Sequence, residues 1–278
     1  MKKINTRARV VIVSLLVATA YVLMSLFWEG TSPDPQIQFV EDLLKGLILG
    51  VILYLGTFWA LFFKVRGERL ITIMLFPSIG ILVLSILMQL ILVTFISNIS
   101  QVPLLIISFL VLGAFTYINL LAVNILNTSY LQNIPLAQAA KAAVFIISLI
   151  DAFLTFYLIF TNDINIFYRL GIVYLTTVLF SYISLWSIEL RRMNEVTISL
   201  TVALLMLLLA GGISMWPVGA PYLALALTLT FYVCMNISLE MREIIGKWIW
   251  VEYGVIFTLI VFLLVLLSEW GINGPLIS

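Results

Sequence analysis

Apolar residues run along this chain in nine blocks, and polar residues gather in the short stretches between them. The blocks fall near 10–28, 43–63, 70–96, 103–126, 142–160, 166–188, 196–216, 221–239 and 251–270. A bilayer-crossing helix needs roughly 20 predominantly apolar residues, and each block is of that order. Lipid offers the backbone no hydrogen-bond partner, so the blocks are expected to be helices that satisfy their own amides. Most show no one-sided period and are apolar all round, as embedded helices are. The predicted fold is therefore all-α: a polytopic transmembrane helix bundle of nine spans, forming a single domain over 1–278. The third block is long. Pro77 near its start is expected to kink it, and the extra length allows tilt.

Charge sets the expected threading. Short loops rich in Lys and Arg stay on the cytoplasmic side. With the N-terminus inside, Lys2, Lys3, Arg7, Arg9, Lys64, Arg66, Arg69, Lys141, Arg191, Arg192, Arg242 and Lys247 all fall inside, which is 12 of the 14 basic residues. Only Lys45 and Arg169 fall outside, each near a helix end from which it is expected to snorkel. The uncharged tail 271–278 is then extracytoplasmic. The Met1-Lys2-Lys3 start and the small loops point to a bacterial inner membrane.

The first block also has the pattern of a cleaved signal peptide: basic 1–9, apolar 10–17, then Ala18-Thr19-Ala20. Its apolar run continues to Trp28 without a polar break, which favours an uncleaved anchor; cleavage would leave eight spans. Trp28, Trp216, Trp248, Trp250, Tyr253 and Trp270 sit at predicted helix ends, where their rings suit the headgroup level. The stretch 240–253 fits either a short interfacial helix or a plain anchored loop. The longest connections are 29–42 outside and 127–141 inside. Asn98-Ile99-Ser100 is a glycosylation sequon without meaning in a bacterial chain. Tyr54, Trp59, Lys64 and Arg66 on span two echo Tyr182, Trp186, Arg191 and Arg192 on span six, and Asn119 on span four echoes Asn236 on span eight. That offset suggests parallel repeats, as transporters often have. Chance is the favoured explanation, because aromatic belts and basic inner ends recur anyway.

Composition then removes chemistry. The chain is 63% hydrophobic and 10% charged, where a soluble domain carries about 25% charged residues. Nine spans leave no room for a folded soluble domain. The net charge of +1 gives no basic patch for nucleic acid. There is no histidine and one cysteine, Cys234. An intramolecular disulfide, histidine-ligated haem, His/Cys zinc sites and Ser-His or Cys-His nucleophiles are thereby excluded. Cys234 reads as a small buried hydrophobe. No cofactor or metal is expected.

One residue inside the spans demands a reason. Asp151 lies at the middle of 142–160, where a charge costs roughly 2.5–3.5 kcal/mol on insertion scales. Ser148, Asp151 and Thr155 share a helix face at spacings of three and four, with Lys141 further along it. That face should meet protein or water. An unpaired carboxylate is costly there, so the neutral acid is expected. Asn119, Asn236 and Arg169 are the candidate partners. Tyr174, Thr177, Ser181 and Ser184 form a second polar stripe, on span six. Gly46 with Gly50, and Ala220, Ala224 and Thr228, are small-residue stripes expected to serve packing inside the chain. Gln89 and Asn124 stand singly and are assigned no role.

Membrane enzymes fare poorly on this inventory. An aspartyl protease needs two membrane carboxylates, and a prenyltransferase needs clustered Asp for a metal and diphosphate, for which Asn162-Asp163 is too little. No P-loop is present. A polytopic glycosyltransferase could cite Asp34, Glu41 and Asp42, on a short loop. The residues thus lean against an enzyme. The leading expectation is a structural or assembly subunit working in the lipid bilayer beside a membrane protein partner or as a homodimer. The alternative is a proton-coupled or ion-coupled carrier of small solutes using Asp151.

Overall fold

The computed structural model describes residues 5–28, 35–61, 69–95, 101–132, 137–162, 164–186, 192–240 and 247–268. These residues form helices and no strand: α1 (Thr6–Phe27), α2 (Pro35–Ala60), α3 (Arg69–Phe95), α4 (Gln101–Gln132), α5 (Ala137–Thr161), α6 (Ile166–Trp186), α7 (Arg192–Ile213), α8 (Ala220–Glu240) and α9 (Lys247–Leu266). Eight are long and apolar enough to cross a membrane; the apolar stretch of α9, Val251–Leu266, is shorter. The protein is a multi-pass membrane helix bundle.

The helix ends follow local chemistry. Asn5 has extended backbone at the start of α1, and the Trp28 amide closes its end by donating to the Met24 carbonyl at 2.9 Å. Pro35 is the first residue of α2, where a missing N–H costs nothing. The helix therefore starts ahead of the expected 43 and takes in Glu41 and Asp42, which hydropathy had left in a loop. Pro77 lies within α3. It removes one backbone donor, and the Ser78 hydroxyl bonds the neighbouring Met74 carbonyl at 2.7 Å. Asn165 Oδ1 accepts the Phe167 amide at 3.0 Å and caps α6. The Gly219 carbonyl receives the Tyr222 and Leu223 amides at the start of α8. The interfacial segment expected over 240–253 falls partly on 241–246, outside the described residues, as do the sequon at Asn98 and the tail 269–278.

The chain divides into two compact units, Met1–Val144 and Phe145–Ser278. In the first, α1 packs on α2 and α4, and α3 packs on α2 and α4, closing a four-helix ring with up-down topology. Small residues set its closest approaches. A Cβ on Gly46 would lie 3.1 Å from the Leu82 carbonyl oxygen of α3, and one on Gly50 would lie 3.3 Å from that of Ser78. The Gly46/Gly50 stripe is thus used within the chain. On the far faces, Leu15, Leu16, Val51 and Leu55 are exposed, as lipid-facing positions are.

In the second unit α6 packs on α7, α7 on α8, and α8 on α9. The α5 helix meets α6 where the Ser184 hydroxyl donates to Ser148 at 3.2 Å. It meets α8 where the Phe145 and Tyr232 rings lie 6.1 Å apart. Shifting by four helices, the α2–α3 and α3–α4 neighbours of the first unit become α6–α7 and α7–α8 in the second.

Candidate functional site

The two polar stripes read separately from the sequence belong to neighbouring helices. Helices α5 and α6 run in opposite directions through the short connection 162–165, and the Ser184–Ser148 bond fixes their register. One turn up α5 from Ser148 is Asp151, and the next is Thr155. One turn back along α6 from Ser184 is Ser181, and the next is Thr177. Asp151 is thereby level with Ser181, and Thr155 with Thr177. All six side chains are buried.

Their hydrogen bonding is uneven. Hydroxyls in apolar helices usually bond a carbonyl one turn back. Ser14, Thr57, Ser78, Thr116, Thr155, Ser199, Thr228 and Thr230 all do so. Thr177 and Ser181 do not: their hydroxyls have no hydrogen-bond partner, and neither has either carboxyl oxygen of Asp151, which is 0% exposed. Four buried oxygens on two facing helices, at adjacent depths, are left over. Buried polar groups are normally paired, so this concentration is the most unusual feature of the second unit.

None of the expected partners hydrogen-bonds the Asp151 carboxyl group. The Arg169 guanidinium stacks 5.1 Å from the Phe160 ring centroid, and its Nη2 donates to the Asn162 carbonyl at 3.5 Å. It sits at the carboxyl end of α5, which favours a cation. Asn162 is about 16 Å along the axis from Asp151 at 1.5 Å per residue. Asn236 donates to the Tyr232 carbonyl at 2.9 Å. Tyr232 is level with Phe145, and Asn236 is a further turn away from Asp151. Asn119 is on α4 in the first unit, where its Nδ2 donates to the Phe115 carbonyl at 3.1 Å and its Oδ1 has no partner.

A second polar group escaped the sequence reading. At one end of the first unit, Lys45 Nζ lies 3.5 Å from Asp42 Oδ1, both side chains buried. The Lys45 side chain is covered and reaches back towards the start of α2, and Asp42 is a helix residue, not a loop residue. The Tyr21 and Ser25 hydroxyls, on α1, each donate to Gln89 Oε1 of α3 at 3.4 Å. Ser108 of α4 hydrogen-bonds Tyr21, and the Asp42 charge reaches the same hydroxyl. Gln89, assigned no role above, is thus a shared acceptor in a cluster fed by all four helices. At the other end of this unit the Arg9 guanidinium lies 5.5 Å from the centroid of a Trp59 ring. That contact explains how a basic residue of the first turn is covered.

Residues 64–267 match the family model described as "Protein of unknown function (DUF5656)". The chain belongs to the DUF5656 family. No curated protein and no solved structure matches it. The DUF5656 match covers α3 to α9, so it contains Asp151, Ser148, Thr155, Thr177, Ser181 and Ser184. Tyr21, Ser25, Asp42 and Lys45 precede it. Within the DUF5656 region described here, no three His, Cys, Asp or Glu side chains gather in a way that could hold a metal ion.

Proposed function

We propose that this protein is an ion-coupled carrier of small solutes, in which Asp151 takes up and releases the coupling cation. The supporting observation is a carboxyl group at the middle of a membrane helix, fully buried, with no hydrogen-bond partner on either oxygen. An ionisable group so placed is costly, and membrane proteins that carry one generally use it. Purely structural glue would have its bonds made, because an unpaired buried polar group costs about 1–3 kcal/mol. The basic residues favour an N-terminus in the cytoplasm, and the Met1-Lys2-Lys3 start with small loops favours a bacterial inner membrane.

A second reading, a subunit that works beside another membrane protein, is favoured by α9. Val251, Val255, Leu259 and Phe262 form an exposed apolar stripe along that helix. One experiment separates the two. Proteoliposomes carrying a pH-sensitive dye on a sodium-containing buffer are challenged with a library of small solutes, and dye response and charge displacement are recorded. Wild-type protein is expected to answer at least one solute class, and Asp151→Asn to lose the response while remaining monodisperse. Equal responses from wild type and Asp151→Asn would remove Asp151 from the path and leave the subunit reading.

A further inference from the structure

We infer that the coupling cation is a desolvated monovalent metal ion of sodium type, held between α5 and α6 by Asp151, Ser181 and Thr177. This rests on the carrier reading of Asp151 and names the ligand of the same site. The chemistry follows from what each oxygen can do. A proton alone on Asp151 neutralises the carboxyl group, but no group donates a hydrogen bond to either of its oxygens. Thr155 already spends its hydroxyl on the Asp151 carbonyl, at 2.6 Å. Protonation would therefore remove the charge and leave the Ser181 and Thr177 oxygens as they are.

A metal ion answers all four oxygens together. Two carboxylate oxygens and two hydroxyl lone pairs form a hard, all-oxygen ligand set of the kind that alkali and alkaline-earth cations prefer. The charge decides between those groups. Asp151 is the sole acid on the two facing helices α5 and α6. One carboxylate balances one positive charge, so a monovalent ion leaves the buried site neutral, whereas a divalent ion would leave it charged within lipid. Neither Ser181 nor Thr177 makes the usual bond to its own backbone or to any other group. Both hydroxyls are thus wholly uncommitted at the depth of Asp151.

The test uses the full chain, purified in detergent or nanodiscs at fixed pH and ionic strength. Thermal unfolding is followed in NaCl, KCl and N-methylglucamine chloride, and binding of radioactive sodium is measured directly. Sodium is expected to raise the melting temperature saturably, as a ligand of the folded state does, with about one ion bound per chain. Asp151→Asn should weaken sodium binding by roughly a hundredfold or more. The isosteric Thr177→Val, alone and with Ser181→Ala, should weaken it roughly tenfold while the protein stays folded in KCl. A wild-type protein that binds no sodium, or that is stabilised by sodium equally in Asp151→Asn, overturns the inference; so does a solute response that needs Asp151 but runs on protons alone, which leaves the carrier reading standing. Sodium binding without any solute response has the opposite meaning: the site stands and the carrier does not.

Discussion

Lys45→Met is expected to destabilise the first unit by about 3–5 kcal/mol, the usual consequence of removing one member of a buried ion pair. Asp42 and Lys45 are both shielded from solvent, and Asp42 Oδ2 has no other partner. Without Lys45 the carboxylate must be buried alone or neutralised. Tyr21, Ser25 and Gln89 give it no counter-charge. The pair is one turn apart on α2, so the loss is electrostatic rather than a change of backbone. The second substitution Asp42→Asn, added to Lys45→Met, should recover most of the stability, because both charges are then gone. Reversible unfolding in mixed micelles, followed by circular dichroism across the four proteins of the cycle, checks this. Equal stability of wild type and Lys45→Met would mean that the pair is hydrated.

The next largest effect is steric. Gly46→Leu should separate α2 from α3 and cost at least about 1–3 kcal/mol, the range for overpacking. The Cβ at this position meets the Leu82 carbonyl oxygen at 3.1 Å, Ile86 Cγ1 at 3.2 Å and Ser85 Oγ at 3.2 Å. Backbone on one side and two side chains on the other leave the new atoms nowhere to turn. Gly56→Val is harsher at its first atom, whose nearest neighbour, Val13 Cγ1 on α1, would be 2.7 Å away. Helices in lipid gain little from apolar burial against one another, so their attraction rests on close contact and is lost when the contact opens. Gly171, Gly212 and Gly254 have nothing within 4 Å of a built Cβ. Alanine there should be neutral or stabilising by up to about 1 kcal/mol, as helix propensity dictates. Melting temperatures of the two sets measured side by side give the contrast. Similar melting of Gly46→Leu and Gly254→Ala would show that α2 and α3 are not in contact.

The bundle was legible because lipid imposes one rule on every span, and the apolar blocks obey it. The start of α2 was not. Glu41, Asp42 and Lys45 lower hydropathy as a loop would, yet the helix continues through them because Asp42 and Lys45 neutralise each other one turn apart. Asp151 stood out as a lone acid in an apolar run. Its surroundings did not, although both stripes were visible, because which stripe faces which depends on register. A single bond between residues 36 positions apart, Ser148 and Ser184, supplies it. The cluster around Gln89 left even less trace. Tyr21 and Gln89 are 68 positions apart, and each looks ordinary on its own helix.

The arrangement of α5 and α6 around Asp151 underlies the site, and engineered cysteines test it most directly. In a Cys234→Ala background, Ser148→Cys and Ser184→Cys should form a disulfide rapidly on mild oxidation in membranes, since hydroxyls 3.2 Å apart place the pair within bridging geometry. Ser148→Cys paired with Leu175→Cys, on the exposed face of α6, should stay reduced. Bridging of Ser148→Cys to Thr177→Cys in preference to Ser184→Cys would shift the register by two turns and take Ser181 and Thr177 away from Asp151.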